Sequence, residues 1–159
     1  MTPRPPRVRP ASGDVLVKAI SVQQPWAWAI AQGHKPVENR RWRTHHRGRL
    51  AIHAPHTVDC AAYPVLDRLG LFPPPIEKLP RGVIVCTVDL VEVFDTPLEA
   101  HAAVAQMLPP GPELDAALQM ATGPRYWLLR NPRHCNPPRS ARGMPGLFDV
   151  DPNLCPACG

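Results

Sequence analysis

The chain has 159 residues, enough for one modest hydrophobic core, and no apolar run approaches the roughly 18 residues that a membrane-spanning helix needs. Lys and Arg number 18 against 13 Asp and Glu, so the formal net charge is +5, and arginine far outnumbers lysine. The 23 prolines argue against an all-helical bundle, because interior prolines break helices. No apolar segment follows the basic N-terminus, so we expect no secretory signal and a cytoplasmic, monomeric protein without a membrane partner.

Three regions can be distinguished along the chain. Residues 1–14 are rich in Pro and Arg with almost nothing apolar, which predicts a flexible basic arm. Residues 15–150 carry the patterns of a folded domain, and residues 151–159 form a tail that ends in a Cys-x-x-Cys pair. The domain should therefore occupy 15–150 alone.

Local patterns predict an α+β fold with five to six strands and three to four short helices around a small mixed sheet or barrel. A helix should begin near Pro25 and end at Gly33, because Pro favours the first helical position and Gly the C-cap. The β-rich and helix-forming runs predict, in order, a strand at 15–22, that helix, strands at 37–43 and 49–55 paired as a hairpin, a short helix within 57–70, a strand at 82–94, helices at 96–107 and 113–121, and strands at 125–131 and 146–150.

One window, residues 33–55, carries six basic side chains and a single acidic one, Glu38. Four histidines and Trp42 are interleaved with them. A concentrated basic surface with aromatic partners is typical of a protein that binds polyanions, nucleic acid above all, although a solvated charged hairpin has the same composition.

Strand alternation places Glu38, Arg40 and Trp42 on one face of the 37–43 strand. Trp42 is expected to pack inward, and ionised groups on a half-buried face need partners. Two structures meet that need: an ion pair that closes the end of a barrel, or a polar cleft in which Lys35, Glu38 and Arg40 face a ligand. Spacing alone leaves both open.

The segment VKAISVQQPWAWAIAQGHKPVENRRWRTHHRGRLAIHA closely resembles the opening of ASCH domains, a family named for homology to a transcriptional coactivator. The family's G-x-K-x-x-E-x-R signature is met by Gly33, Lys35, Glu38 and Arg40. The later GVIVCTVDLVEV, YWLL and GMPGLFDV are similar to its central and closing strands, so the likeness covers about 15–150.

This resemblance implies a PUA-like β-barrel with a cleft between the barrel and the first helix. ASCH domains are proposed to bind RNA or other nucleic acid, and some members hydrolyse acetylated cytidine or RNA. By position, the signature residues would line the cleft, with Gln24 and Trp26 at its helical edge. The acetylcytidine hydrolase branch carries Thr where this chain has Glu38, which favours binding over that reaction.

As a binding module, the protein would use Arg43, Arg47 and Arg49 on phosphates while a nucleobase or nucleoside-like ligand enters the cleft. Trp28 points away from Trp26 on the helix, so it either stacks on a base or packs against residues 57–70. His53 follows the basic run on the next strand and is either a ligand contact or a hydrogen-bonded structural histidine.

Two other classes of function remain open. As a small hydrolase acting on a modified nucleoside or RNA, the protein would use Lys35 to stabilise developing negative charge and Glu38 as general base. As a protein–protein adaptor, it would expose an apolar patch.

The C-terminal cysteines allow a weaker metal hypothesis. Cys155 and Cys158 could bind zinc together with Cys135 or His134, but a single Cys-x-x-Cys at the chain end, without a second pair, favours a frayed tail. We therefore expect no metal and no cofactor.

Overall fold

The computed structural model describes residues 15–155, so the predicted arm at 1–14 and Cys158 lie outside the described residues. The regular elements of this range are β1 (Val17–Ser21), α1 (Trp26–Ala31), β2 (Val37–Arg40), β3 (Gly48–Ala54), α2 (Ala62–Arg68), β4 (Val83–Phe94), α3 (Pro97–Met107), α4 (Pro112–Met120), β5 (Arg125–Ser140) and β6 (Phe148–Val150), with 3-10 turns at Ile76–Lys78 and Pro152–Leu154. No helix within 15–155 is long and apolar enough to cross a bilayer.

The six strands form one mixed sheet in the order β2-β5-β4-β3-β1-β6. Only β1 and β3 are parallel, and every other neighbouring pair is antiparallel. The α+β class and the number of strands and helices are thus confirmed. The expected barrel closure is wrong for this part of the chain, because the short edge strands β2 and β6 each pair with a single neighbour and not with one another.

The predicted hairpin between 37–43 and 49–55 is also wrong. Strand β2 ends at Arg40, and β5 and β4 lie between it and β3 in the sheet. Its partner is β5, in a register that sets Glu38 opposite Trp127. Val37, fully buried, packs in a cluster with residues of α3 and α4, and this burial stabilises the long-range pairing.

Strand β5 is longer than predicted and includes most of the segment expected to be a loop. Its first part lies between β2 and β4, whereas residues 131–140 pair with β4 alone. The open edge carries Pro132, Pro137 and Pro138, which have no N–H to offer to another strand. A proline-rich sequence therefore forms an edge strand here.

Helix α1 packs on one face of the sheet, and its first residue borders the cleft described below. Ile30 of α1 belongs to the largest buried cluster, which also holds Ile20, Ile52 and the fully buried Trp127. Trp42 packs edge-to-face on Trp127 with ring centroids 4.9 Å apart, so it does turn toward the core, although 37% of it stays exposed.

Candidate functional site

A cleft of about 590 Å³ lies where the end of β1, the start of α1, β2 and the end of α4 meet. Its walls are largely apolar and include Trp26, Pro55, Val65 and Met120. Its polar side is formed by the signature residues of β2 and the turn before it, with Gln119 and Thr122 of the α4 region opposite. We refer to this concavity as the signature cleft.

Three charged side chains converge in the signature cleft, as the sequence allowed. Lys35 Nζ lies 3.2 Å from Glu38 Oε1, and Arg40 Nη2 lies 3.0 Å from Glu38 Oε2. Each carboxylate oxygen therefore accepts from a different cation. Lys35 and Glu38 are buried, while about a quarter of the Arg40 side chain is exposed. The ion pairs are internal and also form part of a concave wall, but they do not close the end of a barrel, because the sheet is open.

The turn between α1 and β2 brings the Lys35 ammonium close to Trp26, the first residue of α1. Gly33 ends α1 with a φ of +82°, a conformation that glycine adopts without strain. The backbone N–H groups of His34 and Lys35 then both donate to the Ala29 carbonyl. As a result, Lys35 Nζ reaches the Val37 carbonyl at 2.6 Å and lies 5.7 Å from the centroid of the Trp26 ring.

Arg40 ties β2 to the end of β1 and still has donor capacity. Its Nη2 donates to the Ser21 carbonyl at 2.5 Å as well as to Glu38. Its Nε is buried and, among residues 15–155, has no hydrogen-bond partner. Buried donors are rarely left unpaired, so this N–H is a donor that the described residues leave unsatisfied.

The electrostatics of the cluster keep Glu38 ionised. Burial by itself would raise the pKa of the Glu38 carboxyl, but the charges and hydrogen bonds of Lys35 and Arg40 outweigh it, and the pKa lies below its ordinary value. A carboxylate with a lowered pKa and both oxygens occupied is a weak base. The arrangement is therefore better suited to fixing two cations than to removing a proton from water.

Asn39 was not predicted as a site residue, yet it anchors the opposite wall of the signature cleft. Its Nδ2 donates to the Met120 carbonyl at 2.9 Å, and its Oδ1 accepts from the backbone N–H groups of Thr122 and Gly123. These bonds hold the end of α4 against β2. No local signal revealed this role, because the partners lie more than eighty positions away in the chain.

The structure brings Trp26, but neither Gln24 nor Trp28, to the lining of the signature cleft. Trp26 Nε1 donates to Asp59 Oδ2 at 2.8 Å, which fixes the indole ring. Gln24 is buried, accepts from Trp28 N and donates to the Pro80 carbonyl, so it holds the first turn of α1 in place. The Trp28 ring packs against His34 with centroids 5.4 Å apart.

The arginines expected on phosphates are engaged with acidic or backbone groups. Arg43 forms an ion pair with Asp95, and Arg47 forms one with Glu92 at 2.7 Å. Arg49 donates to the Cys155 carbonyl at 2.6 Å. The sequence placed six basic residues in one window, but β4 and its end supply acidic partners that local composition did not show.

His53 lies at the border of the signature cleft rather than in it. It is buried, its Nε2 lies 2.8 Å from the Ala141 carbonyl, and its Nδ1 lies 2.9 Å from Ser21 Oγ. Burial lowers the pKa of His53, which favours the neutral ring. Because a carbonyl only accepts, the neutral ring carries its proton on Nε2 and accepts the Ser21 hydroxyl at Nδ1.

The cysteine hypothesis can be followed only for the described residues. Within 15–155, no group of three or more His, Cys, Asp or Glu is placed to hold a metal ion. Cys155 and Cys135 are buried in one apolar cluster, and burial raises the pKa of the Cys155 thiol to about 11, whereas His134 is exposed. The described end of the tail is thus packed on the domain.

Comparisons with known proteins identify the family. The model of the ASCH domain matches residues 20–139. The chain belongs to the ASCH domain family. It is 28% identical over 144 residues to human Activating signal cointegrator 1, an alignment that covers 85% of this chain but only 22% of that longer protein.

A solved structure supports the same fold for this ASCH domain. The crystal structure of ASCH from Zymomonas mobilis superposes with a TM-score of 0.50 at 14% identity, covering 86% of this chain and 89% of that one. A mutant of the Zymomonas protein gives a TM-score of 0.47 at 16% identity, with 84% and 88% covered. The resemblance read from the sequence is confirmed.

Proposed function

We propose that this ASCH domain binds RNA, or a nucleotide-like ligand, in the signature cleft. The family as a whole is associated with RNA binding. The observation that carries the proposal is the convergence of Lys35, Glu38 and Arg40 on one concave wall, with the buried Arg40 Nε unpaired among the described residues.

The chemistry of the signature cleft suits a nucleobase. Trp26 and Met120 offer apolar surface for the flat face of a ring, and base–aromatic stacking is worth about 1–3 kcal/mol. Arg40 Nε–H, and the N–H that Lys35 does not use on Val37 or Glu38, can donate to a carbonyl oxygen or ring nitrogen at the base edge. Glu38 contributes by holding both donors in place.

Binding is favoured over hydrolysis by the same cluster. A general base must be within reach of the proton it accepts and have a pKa near the working pH. Glu38 has both oxygens occupied by cations and a lowered pKa, so its role in the proposal is to orient Lys35 and Arg40. Product from N4-acylated cytidine or from RNA that Glu38→Gln abolishes would favour the hydrolase instead.

A conservative pair of variants tests the cleft. Arg40→Lys keeps the charge beside Glu38 but removes the planar Nε–H donor, and Arg41→Lys makes the same change at a neighbouring exposed side chain. A lost hydrogen bond to a charged group is worth about 1.5–3 kcal/mol, so Arg40→Lys should weaken binding of a single-stranded RNA at least tenfold. Arg41→Lys should leave it unchanged.

The measurement is fluorescence anisotropy with a labelled single-stranded RNA of about 12 nucleotides, accompanied by a melting curve for each variant. Equal affinity of Arg40→Lys and Arg41→Lys for the RNA would contradict the proposal that the signature cleft binds it. So would the absence of measurable binding by the unmodified protein at low salt.

A further inference from the structure

A second groove, of about 900 Å³, adjoins the signature cleft. It lies between the end of β3, the start of β4 and the residues that follow β5, and Ser21 and Pro55 line both concavities. We call it the β5 groove. A ligand seated in the signature cleft would therefore meet this groove at the Ser21 and Pro55 border.

The β5 groove has a positive and uncompensated charge. Arg81 and Arg142 both line it, both are exposed, and neither forms an ion pair or hydrogen bond within the described residues. None of the residues lining it is Asp or Glu, and His53 and His56 supply the remaining titratable groups. Two arginines can thus bind anions without first breaking an internal contact.

The basic window identified from composition is different in this respect. Arg43 and Arg47 would have to give up Asp95 and Glu92 before binding a phosphate. Releasing such partners reduces the net electrostatic gain, because the attraction to the phosphate is offset by the pair that is lost. The two arginines of the β5 groove are therefore available to a phosphate, whereas Arg43 and Arg47 are already paired.

Two glycines that line the β5 groove each pack against a histidine ring. A Cβ added to Gly82 would lie 2.5 Å from the His56 ring, and one added to Gly143 would lie 2.6 Å from the His53 ring. Glycine at both positions lets the imidazoles pack directly on the chain. Gly82 and Gly143 thus fix the positions of His56 and His53 in the wall of the groove.

From this placement we infer that the β5 groove binds the sugar–phosphate backbone of the single-stranded RNA whose base occupies the signature cleft. The inference rests on the proposed function for the identity of the ligand. Arg81 and Arg142 each contact a phosphate, while Ser140 and His56 offer polar contacts to the sugar. The strand passes from one concavity to the other over Ser21 and Pro55.

The salt dependence of binding separates this path from one over the 41–49 segment. Each phosphate contact to a single strand contributes about 0.7 to the slope of log K against log salt, so Arg81→Ala/Arg142→Ala should lower that slope by about 1.4. The corresponding loss of affinity is roughly 60-fold at 50 mM salt and about 10-fold at 200 mM. Arg41→Ala/Arg133→Ala removes the same charge from exposed positions outside the groove and should leave the slope unchanged.

Titrations of the labelled RNA with the full chain and these two double variants provide the test, with melting curves to show that each variant folds. An unchanged slope for the groove variant, or an equal decrease in the control, would overturn the inference. If Arg40→Lys still weakens binding in that case, the proposed function survives alone. If the groove variant loses affinity while Arg40→Lys does not, the β5 groove binds RNA and the signature cleft does not.

Discussion

Replacing Glu38 by glutamine removes the one negative charge that Lys35 and Arg40 share. Lys35 is 4% exposed and has no second carboxylate within ion-pair distance among the described residues, so its ammonium would be left buried and uncompensated. Breaking a buried ion pair on one side costs about 3–5 kcal/mol. Because Arg40 is partly exposed and can be solvated, we expect the lower end, about 3 kcal/mol, for Glu38→Gln at pH 7.

The pH dependence of this effect has a definite sign. The pKa of Glu38 is lowered in the folded protein, so its carboxylate stabilises the fold at pH values above its ordinary pKa of 4.5. That contribution is lost as the pH falls below 4.5 and through the lower folded pKa. The stability difference between the unmodified protein and Glu38→Gln should therefore be full at pH 7 and shrink below pH 4.5.

Urea unfolding followed by tryptophan fluorescence at pH 7 and near pH 3.5 measures both quantities. Glu92→Gln is the matched control, because Glu92 also pairs with an arginine but about half of its side chain is exposed, and such pairs are worth less than about 1 kcal/mol. A cost below 1 kcal/mol for Glu38→Gln, or a cost that does not change with pH, would refute the described electrostatics.

Three further predictions concern the surroundings of the two concavities. Asn39→Ala removes three hydrogen bonds to the end of α4 and should lower the free energy of unfolding by about 2–3 kcal/mol in urea titrations. Gly82→Ala should cost about 1–2 kcal/mol and displace His56, because φ is +68° and the new Cβ meets the ring. In thiol labelling mapped by mass spectrometry, exposed Cys60 should react in the native protein, whereas Cys86, buried and with a raised pKa, should react only after unfolding.

Each of these predictions has a clear contrary result. A loss below 1 kcal/mol for Asn39→Ala would mean that α4 is held mainly by apolar packing. Unchanged stability and an unchanged His56 NMR signal in Gly82→Ala would contradict the close packing at the β5 groove. Labelling of Cys86 at the rate of Cys60 in native protein would contradict the placement of β4 in the core.

Local patterns predicted much of the fold because many elements depend on local chemistry. Thr96 accepts from Glu99 N and opens α3, as its capping sequence indicates. Gly33 ends the first helix, and the apolar run at 82–94 forms the central strand β4. The partner of β2 could not be predicted in this way, because its choice of β5 over β3 depends on burial of Val37 against distant helices.

The candidate site was predictable to a similar extent. Lys35, Glu38 and Arg40 lie within six residues, so one turn and one strand bring them together whatever the rest of the chain does. Whether each of the other arginines has an acidic partner depends on contacts between residues that are distant in the chain. Arg47 meets Glu92 forty-five positions away, whereas Arg81 meets no acidic residue within the described part of the chain. Composition counts charges but cannot show which of them are compensated.

Ultraviolet cross-linking of bound RNA, followed by mass spectrometry of the peptides, tests the signature cleft most directly. The account predicts nucleotide adducts on Trp26 or on the peptide that contains Met120, and their loss in Arg40→Lys at RNA concentrations that saturate only the unmodified protein. Adducts confined to α3 or to residues 41–47, with none in the cleft, would contradict it.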